Sequence, residues 1–169
     1  MKRLKDEIVQ FLQDQGCIIV STIDRTGGIH TSCKGILKIN QSGKVYLLDL
    51  YQGTTLDNLR RNSHISLTAI DEHKFCGYCL KGKAKIIRKE KLISKLIKLW
   101  DERITGRISR RIIRNIQGVR GHPTHPEVLL PQPEYLIVVE VDDIIDLTPQ
   151  HLKESGERKK TATPGGSNG

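Results

Sequence analysis

The sequence predicts a mainly β protein with a few helices, an antiparallel barrel or sandwich carrying helices at its ends. Three observations predict it. Short β-branched runs recur along the chain, tight Gly- and Asn-containing turns separate them, and helical periodicity is confined to three places. At 169 residues the chain suits one domain with its own core, expected over 1–152.

Leu4, Ile8, Phe11 and Leu12 recur at helical spacing, so 3–15 reads as an amphipathic helix ended by Gly16. The runs 17–24, 29–39 and 44–51, joined by Arg25-Thr26-Gly27-Gly28 and Asn40-Gln41-Ser42-Gly43, read as a three-strand meander. A capped helix is expected next: Gly53 turns the chain out of its strand, Thr54 or Thr55 serves as N-cap, Thr54-x-x-Asp57 fits a capping box, and Arg60 and Arg61 suit the last turn. Strands follow at 64–71 and 75–89. A long helix is expected over 90–117, with Leu92, Leu96, Trp100, Ile104, Ile108, Ile112 and Ile116 as one stripe and Gly106 as a point where it splits. The segment 118–133, with four prolines, reads as a loop, 134–141 as the last of six strands, and 153–169 as a disordered tail.

The net charge of +9 points to an anionic partner. Four cysteines, all in strand-like sequence, fit a reducing compartment, and the N-terminus lacks the apolar block of a signal peptide; a soluble cytoplasmic protein is expected, with no membrane span.

Strand alternation sorts side chains by face. Along 29–39 the odd positions Ile29, Thr31, Cys33, Leu37 and Ile39 read as core, which leaves Lys34 and Lys38 together on the other face. Along 44–51 both faces are apolar, Val45 and Leu47 on one, Tyr46, Leu48 and Leu50 on the other, so a helix or a second subunit must cover the outside. Lys81, Lys83 and Lys85 line one face of 75–88, as on a charged edge strand. Cys76-Gly-Tyr-Cys79 has the spacing of a metal knuckle, but residues three apart in a strand point to opposite faces, so isolated small hydrophobes are expected and no metal site. His122 and His125 have the chemistry to ligate a metal or haem iron, with no carboxylate cluster nearby in sequence.

Two segments then carry a family resemblance: Gly53-Thr54-Thr55-x-x-Asn58-Leu59-Arg60-Arg61-Asn62 followed by Ile65-Ser66-Leu67, and Lys81-Gly82-Lys83-Ala84 on the next long strand. The chain resembles the FMN-binding split-barrel family, the pyridoxamine 5′-phosphate oxidase-like proteins, well over about residues 4–89 and loosely over 134–147. The resemblance implies a six-stranded split barrel and a homodimer with FMN in clefts between the subunits. It implies a phosphate near Thr54 and Thr55 with Lys34 as countercharge, a flavin ring along Asp49, Leu50 and Tyr51, and Asn58 ordering the connector. The chain departs from the pattern at Leu56, where such proteins often carry a cation; Lys38 or Arg60 would replace it. It departs again at Cys76 and Gly77, where the oxidases have an Arg-Gln pair, and in its C-terminal tail, so vitamin B6 chemistry is not expected.

The expected function is thus an FMN-dependent oxidoreductase with no catalytic acid or base declared by the sequence. Haem or a deazaflavin on the same fold is the alternative. A nucleic-acid partner is a further one: ten Lys or Arg against three acids between Arg88 and Arg114 favour phosphate binding, but aromatic residues make up 4% of the chain, too few for stacking platforms.

Overall fold

The computed structural model describes residues 1–88, 94–118, 129–131 and 133–153. The expected loop histidines His122 and His125 and the tail from 154 lie outside the described residues.

The main elements among the described residues are, in order, α1 (Asp6–Asp14), β1 (Ile18–Ile23), β2 (Ile29–Lys34), β3 (Ile36–Ile39), β4 (Lys44–Asp49), α2 (Thr54–Arg61), β5 (His64–Asp71), β6 (Cys76–Arg88), α3 (Ser94–Ile116) and β7 (Tyr135–Asp146). All strand pairs are antiparallel, in the spatial order β2-β1-β5-β6-β7-β4-β3. The two outermost strands are consecutive in the chain and separated by Gly35 alone. They are halves of the single strand expected over 29–39, bent so sharply that the sheet curls round and meets itself through the backbone. Counted that way, the barrel has the six strands the sequence predicts.

The bend overturns two expectations about faces. Ile36 pairs with Leu47 and Lys38 with Tyr46, so Leu37 is an extra, bulged residue. A bulge reverses the alternation: Lys34 points inward and is nearly buried, whereas Lys38 is exposed outside. On β2 itself Ile29, Thr31 and Cys33 are exposed, and His30 and Ser32 are the half-buried side. The odd positions expected in the core are therefore outward on β2, because its inner face turns toward α2 and not toward the main core.

That core fills the barrel with Ile18, Val20, Ile36, Val45, Leu47, Leu67, Leu80, Ile137 and Val139, among others, and Ile8 and Leu12 of α1, with Leu4 just before it, close one opening. Leu56 and Leu59 of α2 join the same cluster. A second cluster lies outside: Leu37, Leu48, Leu136 and Val138, with Tyr46, Leu99 and Trp100 against it. The doubly apolar strand thus receives its cover from α3.

Helix α3 runs unbroken through Gly106. Its expected stripe does not stay on one side. A spacing of four overshoots a turn of 3.6 residues by about 40° per step. Trp100 consequently packs on the sheet while Ile112 and Ile116, 42% and 80% exposed, face away.

The lysines of β6 are exposed as expected, but β6 is not an edge: it pairs with β5 and β7 along its length. Gly82 explains itself here. Lys81 pairs with Asp143 and Gly82 with Val141, so β7 carries one extra residue, Asp142, at this step, and a Cβ on Gly82 would come within 2.1 Å of the Glu140 carbonyl oxygen.

Gly82→Ala is expected to destabilise the fold by about 1–3 kcal/mol, as backbone must shift to admit the methyl. Gly106→Ala, with open space at its Cβ, is expected to stabilise by about 0.5–1 kcal/mol through helix propensity and unfolded-state entropy. Urea unfolding of both variants checks the opposite signs.

Candidate functional site

One cavity of about 390 Å³ gathers most of the residues that the sequence singled out. Lys34, Asp49, Leu50, Tyr51, Gly53, Thr54 and Thr55 line it, together with Cys17, Ser32, Cys33, Gly35, Leu48, Arg107 and Leu130. It lies where β2 and β4 end, at the start of α2.

The helix opens differently from the expected cap. Gly53, in extended backbone, is the N-cap and no side chain caps α2. The Leu56 and Asp57 amides bond back to the Gly53 carbonyl at 2.9 and 3.3 Å. The two amides before them, those of Thr54 and Thr55, have no partner among the described residues, as the geometry of a helix start requires. They give the cavity two N–H donors at the positive end of the helix dipole. The Thr55 hydroxyl is buried, 3.2 Å from Ser32 Oγ and 3.5 Å from His30 Nε2.

The cavity's ammonium group is already paired. Lys34 Nζ donates to Asp49 Oδ2, and both side chains are over nine-tenths buried. Tyr135, directly across the β4–β7 pair, donates its hydroxyl to the same oxygen at 2.5 Å. The Tyr51 amide reaches Asp49 Oδ1 at 3.5 Å. Lys34 therefore brings almost no net charge to the cavity, contrary to the role expected of it. Its ionic partner was not predictable from parity, since Lys34 and Asp49 belong to strands that meet only because the sheet curls.

Three expected residues fall elsewhere. Lys38 is outside by the bulge. Arg60 is on the exposed side of α2, 3.5 Å from Asp57. Asn58 is buried and donates to Thr22 Oγ1 at 3.0 Å while accepting from Arg61 at 2.5 Å, bonds that tie the connector to β1. None of the three lines the cavity.

The sequence missed Arg107, which reaches back from α3, and the pair Cys17 and Cys33. Cys33 faces Ile19 across β1–β2, so Cys17 is its diagonal neighbour on the same face. Desolvation pushes the Cys17 thiol above its usual range; the Cys33 thiol beside it adds to the rise, and Arg107 pulls the other way. Cys17 at the start of one strand-like run and Cys33 in the next were a signal present in the sequence. On β6, Cys79 is buried with its sulfur 3.1 Å from Ser66 Oγ, and Cys76 is half-buried. No group of three or more metal-ligating side chains occurs among the described residues, and no described helix is long and apolar enough to cross a membrane.

A curled antiparallel sheet, closed through one bent strand and stoppered by a short helix at a ligand-sized cavity, defines a split β-barrel. The chain belongs to the pyridoxamine 5′-phosphate oxidase family, whose sequence profile matches residues 4–129. No curated protein matches it. Among solved structures it is similar to HupZ of Group A Streptococcus, with 16% identity over 86% of this chain and 94% of that one and a TM-score of 0.62. A protein of Clostridium acetobutylicum related to general stress protein 26, of the pyridoxinephosphate oxidase family, gives 15%, 88%, 99% and 0.55. An F420 reductase gives 11%, 84%, 98% and 0.53. Identities this low establish shared fold and nothing about ligand.

Burial, and after it the bond to Asp49, hold the Tyr135 phenol well above its usual range. In the unfolded chain it ionises near pH 10. Its contribution is therefore fully present below about pH 10 and is lost as pH rises beyond that value, because the unfolded state then releases a proton that the folded state retains. Tyr135→Phe is expected to cost about 1–2 kcal/mol at neutral pH. The gap between variant and wild type is expected to narrow above pH 10, followed by urea unfolding across the alkaline range.

Proposed function

We propose that the chain is an FMN-binding flavoprotein acting as an oxidoreductase, a homodimer with its cofactor at the subunit boundary. The observation that carries the proposal is the meeting of the α2 N-terminus with the Asp49–Tyr51 strand end in one 390 Å³ cavity. The cavity tests well against the group. Two unpartnered amides at a helix start fit a phosphate. Open space lies at Gly53, where an added Cβ meets nothing within 4 Å. Leu48, Leu50 and Tyr51 offer apolar surface for a ring. Charge fits less simply: with Lys34 held by Asp49, the phosphate would rest mainly on backbone donors and the helix dipole.

FMN supplies electron and hydride transfer when bound, and the protein's part is orientation and electrostatics. Thr54 and Thr55 would hold the phosphate end. The Lys34–Asp49–Tyr135 cluster would fix the strand end under the ring, since Lys34 and Tyr135 both donate to one carboxylate oxygen of Asp49.

The dimer is supported by the outward face of β1, β2 and β5. Ile19, Ile23, Ile29 and Ile70 are 41%, 37%, 78% and 59% exposed there. Ile23 pairs directly with Ile29. A shallow apolar hollow of about 410 Å³ includes both and extends to His64, Ser66, Lys81 and Gly82. An apolar face on the outside of a sheet fits burial against a second copy.

Purified protein is expected to show a flavin absorbance spectrum and to bind FMN at least about tenfold more tightly than riboflavin, the expected worth of charge-assisted bonds to phosphate. Thr54→Pro removes one amide at a position where a helix accepts proline; it should weaken FMN and leave riboflavin unchanged. Equal affinity for both flavins, or a haem or deazaflavin spectrum, would overturn the proposal. Ile29→Glu is expected to shift the sedimentation coefficient from dimer to monomer.

A further inference from the structure

Arg107 occupies a place that the proposed cofactor role does not use. Its guanidinium lies on Gly35, at the strand break: a Cβ there would come within 2.8 Å of Nη2 and 3.6 Å of Cζ. Nη2 donates to the Gly16 carbonyl at the end of the α1–β1 connection. A glycine and a backbone oxygen from two separate segments thus hold the flat group in place. Arg107 lines the large cavity and also an adjoining gap of about 80 Å³ beneath α3, walled by Leu37, Leu48, Trp100, Arg103 and Ile104.

Arg103, one helical turn earlier, faces the same gap. Its charged form is disfavoured by burial first, then by Arg107 and Arg110. No carboxylate of the described residues forms an ion pair with Arg103 or Arg107. The neighbouring Asp49 is already committed to Lys34 and Tyr135. Two guanidinium groups lining one partly desolvated gap, neither ion-paired with a described carboxylate, are stabilised most by an anion placed between them. The gap equals two or three waters at about 30 Å³ each, which admits an oxyanion head group and no ring.

We propose that Arg103 and Arg107 form an anion subsite opening from the large cavity, which takes the carboxylate or phosphate of a small anionic substrate. That the anion is substrate rests on the flavoprotein reading; that the subsite binds anions does not. The geometry orders the parts: the cofactor's phosphate at the α2 N-terminus, the substrate's anionic end at Arg107, and the Leu48–Leu50 strand end between them. Arg107 makes a planar two-point contact, and Arg103 adds charge from behind.

The chain's single tryptophan, Trp100, walls the gap, so its emission reports occupancy. FMN-free protein is titrated with inorganic phosphate and, separately, with succinate, at ionic strength held constant with sodium chloride. A saturable change in Trp100 emission is expected with at least one of the two, and the responding anion names the head group. Arg107→Gln and Arg103→Gln should each weaken it about tenfold or more. Gly35→Ala should weaken it as well, with every charge retained, because the methyl displaces the guanidinium. Arg114→Gln, on the exposed end of the same helix, should leave it unchanged. No saturable response to either anion, or equal weakening by Arg114→Gln, overturns the inference. Anion binding by a protein that fails to bind FMN would sink the cofactor proposal and leave the subsite standing, whereas FMN binding without it sinks the subsite alone.

Discussion

The bend at Gly35 governs the rest of the molecule. It turns one strand into the two opposite edges of the sheet, β2 and β3, so the barrel needs no further pairing there to close. The bulge at Leu37 completes the turn and sends successive residues to opposite sides: Ile36 into the barrel, Leu37 under α3. A side chain at the bend would occupy the space of the Arg107 guanidinium. Barrel closure, the placement of Lys34 and the bed for Arg107 therefore share one cause.

Charge around the cavity follows from that closure. Burying Lys34 and Asp49 side by side is tolerable because each neutralises the other and Tyr135 satisfies the carboxylate further; a lone member would be left as an uncompensated buried ion. The pairing leaves the positive character of the cavity to the α2 N-terminus and to Arg107, which lies against Gly35 and Gly16. A helix dipole and a guanidinium differ in what they recognise. The first suits a compact anion approached by backbone amides, the second a planar oxyanion met edge-on. Two such features at one cavity fit a ligand set with two separate anionic ends.

Family membership fixes the scaffold and leaves the chemistry to the site. Split barrels with identities of 11–16% to this chain share its architecture, and one fold hosts many ligands. The site's local features are Leu56 in the core and, on α3, Arg107 at the cavity with Arg103 in the gap behind it.

The sequence by itself determined the element order, the turn positions, the apolar character of both faces of β4, the lysine face of β6, and the connector Gly53–Asn62, since these depend on short-range periodicity and on glycine, threonine and asparagine chemistry within a few residues. The family resemblance singled out Asp49, Leu50, Tyr51, Thr54 and Thr55, and all five line one cavity. Only the tertiary structure decided that Lys34 is neutralised by Asp49, that Lys38 and Arg60 lie outside, that the α3 stripe peels away from the sheet, and that Arg107 crosses 91 residues of chain to reach the Gly16 carbonyl. The reasons differ by element: on α3 a spacing of four drifts off a 3.6-residue turn, Arg107 meets Gly16 through a long-range contact that no local pattern encodes, and on the strands regularity fails. Alternation predicts faces only while a strand stays regular, and a bulge or a bend of one residue exchanges inside for outside without leaving any periodic trace in the sequence.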